Sequence, residues 1–101
     1  MSIEHVVQYR PRLASETITY SLDVSRVTPT PSNPVANVSV YSGAADPGAA
    51  SIITVQPAVT GSVISWRCAG GVGGTTYRIA ISYSTPSGDR LTNHCLTPVE
   101  P

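Results

Sequence analysis

Few residues of this chain could do chemistry. They are His5 and His94, Cys68 and Cys95, six carboxylates, the basic spot Arg10-Pro11-Arg12 and the cluster Gly70-Gly71-Val72-Gly73-Gly74. A glycine loop that cradles phosphate needs a strand before it, a helix after it and a lysine. Here a strand pattern follows the glycines and the chain has no lysine, so the cluster reads as a connection between strands. A metal site needs three or four converging ligands. His94 and Cys95 are adjacent, and on a strand adjacent side chains point to opposite faces. No Cys-x-x-Cys or His-x-x-x-His spacing exists. A nucleophilic serine needs a histidine held by a carboxylate, but His5 falls in an N-terminal arm and His94 on the last strand. Glu4, Glu16, Asp23, Asp46, Asp89 and Glu100 fall mostly at strand ends or on wet faces, not as a facing acid–base pair. The expectation is a non-enzymatic protein with no cofactor and no metal.

Two features remain. Arg10 and Arg12 are possible subunit contacts, because arginine pairs bidentately with carboxylates; the competing reading is a solvated loop. Cys68 and Cys95 share inward parity with Trp66 and Leu91, and are expected to be buried free thiols acting as small hydrophobes rather than a bridge.

The elements that must hold these residues are strands. Val, Ile and Thr number 30 of 101 residues, against four Leu and no Lys, a composition that favours sheet over helix. Nine prolines and eight glycines cut the chain into short pieces. Period-two alternation is unbroken from Thr17 to Ser25 and again from Thr76 to Ser84. It recurs in Ser62–Ala69, Val35–Ser42 and, more weakly, Arg90–Thr97. Ile52–Val55 is a short apolar run, and Ile3–Tyr9 is a first strand or an extended arm. Thr28–Pro34 and Gly43–Ala50 read as loops, and Pro86-Ser87-Gly88-Asp89 as a tight turn.

Six or seven short strands in about 100 residues predict one all-β domain, an immunoglobulin-like antiparallel β-sandwich, with a small barrel as the alternative. The domain spans 1–101, with a short arm (1–15) and tail (98–101) that are flexible and suited to ordering on a partner. Trp66 and Tyr77 are its structural anchors. Tyr77 opens the penultimate strand after the glycine loop, where sandwiches of this class turn a tyrosine hydroxyl back onto the backbone.

Charge is scarce as well as balanced: 12% of residues are charged, six basic against six acidic, where about 25% is ordinary. Zero net charge gives no electrostatic reason to bind nucleic acid or an anionic membrane. No apolar run approaches the ~20 residues of a membrane span. The opening from Met1 to Arg10 lacks a signal peptide's apolar stretch, which suggests a cytosolic start. A weakly charged, Ser/Thr-rich surface is easily desolvated against other protein.

Three runs carry a family resemblance. They are Val38–Gly43, Gly61–Trp66, and Gly70 through Ile79 with Ser87-Gly88-Asp89. Over roughly residues 16–97 the chain resembles the small immunoglobulin-like accessory proteins of the head, neck or tail of tailed bacteriophages. The family's aspartate-tryptophan-serine-like run corresponds here to Asp23-Val24-Ser25, with valine at the centre. The resemblance implies a virion structural protein assembled in the bacterial cytoplasm. It would dock in multiple copies on major capsid, portal or adaptor subunits, as decoration or at the head–tail junction. The alternative is a carbohydrate- or host-surface-binding module, for which only Tyr9 and Tyr41 fall at outward positions.

Overall fold

The structure, a computed structural model, describes residues 5–101. Met1 to Glu4, and with them the beginning of the expected first strand and arm, lie outside the described residues.

The described residues form seven strands in two sheets. These are β1 (His5–Gln8), β2 (Ile18–Asp23), β3 (Ser32–Ser42), β4 (Ile53–Thr60), β5 (Val63–Cys68), β6 (Thr76–Ser84) and β7 (Arg90–Pro98). The four-stranded sheet has the order β1-β7-β6-β3 and the three-stranded sheet β2-β5-β4. The molecule is therefore an all-β sandwich. It is antiparallel throughout except that β1 runs parallel to β7, His5 beside Asn93 through Gln8 beside Leu96.

Alternation decides which faces meet. In β2, Tyr20 and Leu22 are buried while Thr19, Ser21 and Asp23 are exposed. In β6, Tyr77, Ile79, Ile81 and Tyr83 are fully buried, and β5 adds Ile64, Trp66 and Cys68 from the opposite sheet. Register brings Tyr20 opposite Trp66 and Ile79 opposite Cys95, so the largest side chains stack between the sheets. Burying each large apolar side chain is worth about 1.5–3 kcal/mol, and this layer carries the fold.

Turn chemistry matches the connections. β4 and β5 are joined by Gly61-Ser62 with Gly61 at φ 61°, the first-position glycine of a two-residue hairpin turn. Between β6 and β7, Thr85 N–H bonds Asp89 O at 2.9 Å and Gly88 turns at φ 95°.

Four expectations need correction. β4 extends to Thr60, well past Val55, because slips in its pairing with β5 absorb Pro57 and break the alternation. β3 begins at Ser32, inside the expected loop, with Asn33 at φ 50° and a register slip before Val35 accommodating Pro34. The 43–50 loop ends in a 3-10 turn (Ala49–Ile52) that buries Ala49 and Ile52. Finally, neither terminus is free over its described part. Arg12 N–H bonds Pro98 O, Glu100 N–H bonds Arg12 O, and Val99, 3% exposed, pairs through its backbone with Gly74 and Thr75. The segments expected as arm and tail complete each other's hydrogen bonds.

Candidate functional site

Tyr77 sits where the glycine loop enters β6. Its hydroxyl accepts a 2.8 Å bond from the Val72 N–H and donates a 2.6 Å bond to Asp46 Oδ2. Asp46 in turn accepts from the Gly48 N–H through Oδ1. One phenol thus ties the 70–74 loop to the 43–48 loop. Gly71 lies against the ring: at φ 98° its Cβ would stand 3.0 Å from Tyr77 Cε2, which explains a glycine there. Burial, and then the bond to Asp46, push the Tyr77 pKa up. The glycine run thus serves backbone geometry around a tyrosine. Sequence reasoning placed Asp46 only among solvated carboxylates and missed this role, because its partner lies 31 residues away.

Trp66 is 1% exposed at the middle of β5. It packs edge-on to Tyr9 and at a tilt to Tyr20, with ring centroids 6.3 and 6.1 Å away. Cys68 and Cys95 are both free and fully buried. Burial pushes each thiol up to about 11. Only the thiolate is reactive, so an alkylating reagent at neutral pH should label neither cysteine in the native protein and both in denaturant. This is readable by intact-mass spectrometry, and rapid native labelling at either site would contradict the packing.

The Arg10-Pro11-Arg12 spot divides. Arg10 is exposed, whereas Arg12 is 2% exposed; the pair is not an extended grip, because the backbone bonds of residue 12 to the C-terminal segment turn its side chain inward. Arg12 Nη1 donates to Leu13 O at 3.3 Å, while Nε and Nη2 have no partner and no contact with solvent. The Tyr20 hydroxyl likewise makes no well-formed hydrogen bond. Burial raises the Tyr20 pKa, and the charge and the close approach of the Arg12 guanidinium oppose that rise, which places the two groups side by side.

A half-open cleft of about 310 Å³ lies here. Tyr9, Ile18 and Tyr20 supply its apolar lining, Arg10, Thr19 and Ser21 its polar part, and Arg12 its buried charge. Tyr9, expected at an outward position, is instead half-buried: its ring lies 4.6 Å from Tyr20 and its hydroxyl donates to Ser21 O at 3.0 Å. Tyr41 is the tyrosine that stays outside, at 58% exposure.

A second candidate surface is β3. It ends the four-stranded sheet, so one of its edges has no strand partner among the described residues. None of its 11 residues is charged, and Val35 and Tyr41 are exposed on it. Solvent-facing edges normally carry charge or are covered.

Among the described residues no three His, Cys, Asp or Glu side chains gather as metal ligands, and no helix is long and apolar enough to cross a membrane. Comparison of the chain with protein-family models, curated proteins and solved structures returns no match.

Proposed function

We propose that this chain is a non-enzymatic, immunoglobulin-like accessory protein of a tailed-phage virion. It docks in multiple copies on capsid, portal or adaptor subunits, at the head surface or the head–tail junction. The immunoglobulin-like reading is supported by strand order: β2-β5-β4 facing β7-β6-β3 follows the B-E-D and G-F-C arrangement, with β1 beside β7. The Tyr77 hydroxyl bond to the preceding loop is that of a tyrosine corner. The virion reading rests on the family resemblance and on the surface.

The observation that carries docking is the open, uncharged β3 edge. Asn33 O at its start is taken by Arg90 Nη1 at 2.8 Å, but no strand of the described residues pairs with its outer edge, where a partner strand can add, and its side chains impose little ion desolvation. A carbohydrate platform has less support, since Trp66, Tyr20, Tyr77 and Tyr83 are all buried.

The edge is tested by Val35→Lys. Val35 is 45% exposed, so stability should change by no more than about 0.5 kcal/mol. Incorporation of the protein into particles should fall at least about tenfold, because a lysine must be desolvated at the contact. Equal incorporation of the variant and the natural chain would remove β3 as the docking edge.

A further inference from the structure

We propose that the cleft beside Arg12 binds a carboxylate carried on a flat apolar body. The proposal stands on the unmet polar atoms at this site and is independent of the virion reading. An arginine cannot shed its proton to relieve burial, and a buried charge is ordinarily paired. Arg12 Nε and Nη2 lie beside the Tyr20 hydroxyl, a neutral group, but complete no well-formed hydrogen bond with it and have no carboxylate partner. Glu16 is near enough for Tyr20 to feel its charge, but it accepts from the Leu13 N–H at 2.7 Å and forms no hydrogen bond with Arg12 Nε or Nη2.

The missing partner is thus an anion from outside, and the cleft limits its kind. The guanidinium fork matches a planar carboxylate. The tyrosine rings and Ile18 suit an apolar body, and the cleft's about 310 Å³ sets a small one. Phosphate, with more charge and no apolar part, suits this lining poorly. Because Arg12 Nε and Nη2 are out of contact with solvent, a carboxylate in the cleft reaches them only when a lining side chain shifts.

The test is an NMR titration of the full chain with three probes: phenylacetate, its uncharged amide phenylacetamide, and a short peptide ending in a free phenylalanine carboxylate. The expected result is saturable shifts confined to residues 9–12 and 18–21 with a carboxylate probe. The amide should bind at least about tenfold more weakly. Tighter binding of the peptide than of the free acid assigns the natural ligand to a protein chain terminus. Binding of the acid alone assigns it to a small molecule.

Arg12→Met should abolish binding and raise the melting temperature, since it removes an unpaired buried charge. A merely structural arginine would give a lower melting temperature. Thr19→Trp, at an exposed lining position, should block the cleft without unfolding the protein. No saturable shift with either carboxylate, equal binding of acid and amide, or unchanged binding in Thr19→Trp would overturn the proposal. The acid–amide comparison decides it on the natural chain, even where a variant fails to fold.

Discussion

Trp66→Ala is expected to destabilise the domain by about 4 kcal/mol, as large aromatic truncations in cores do. The site cannot collapse easily. Trp66 lies on the central strand of its sheet, opposite Tyr20 in the register, and its ring is boxed by Tyr9 and Tyr20. Removing it opens the layer in which Ile64, Cys68 and Ile79 are fully buried. A domain of this size has about 5–15 kcal/mol in all, so the variant should be partly unfolded at physiological temperature. Trp66→Phe should cost much less, because it keeps an aromatic ring in the layer and leaves a far smaller cavity. Urea unfolding of both variants measures this. A loss below about 1 kcal/mol for the alanine variant would mean that the sheets do not pack through this residue.

Tyr77→Phe is expected to cost about 2 kcal/mol, with the ring left in place. It removes the 2.6 Å bond to the Asp46 carboxylate and the 2.8 Å bond from the Val72 amide. Bonds to charged groups are worth about 1.5–3 kcal/mol and neutral ones about 1. The total is held down because Asp46 is only half-buried and regains some water. A double-mutant cycle with Asp46→Ala should give a coupling of about 1 kcal/mol or more. Additive effects would show that the two loops are held independently, and a Tyr77→Phe loss under about 0.5 kcal/mol would show that the hydroxyl is not structural.

How much of this was legible in the sequence follows from what encodes each element. β2, β5 and β6 have one buried and one wetter face, and such a strand writes itself as alternation; their bounds and inward residues followed directly. The inward parity of Cys68 and Cys95 followed for the same reason. β4 was largely hidden, since its alternation is broken by slips at Val55 and Ala58 and by Pro57. The ordering of the termini was also hidden, because their partners, Arg12 with Pro98 and Glu100, lie more than 80 residues apart and carry no local signal. That distance concealed the cleft as well. Arg10-Pro11-Arg12 reads as a surface spot until the C-terminal segment turns Arg12 inward, and Tyr9 reads as exposed until the crossing from β1 to β2 lays it on Tyr20. Asp46 looked like any loop carboxylate for the same reason.

Scarce and balanced charge, an uncharged β3 edge strand and a sandwich held by its own aromatic core are what the proposed docking role draws on. The most direct measurement is the copy number of this chain in particles purified from the producing host, by quantitative mass spectrometry against the major capsid protein. The docking account predicts a fixed, multi-copy ratio that matches a symmetry of the head or the head–tail junction and persists through repeated purification. Absence of the chain from the purified particles, with the protein free in the lysate, would contradict it.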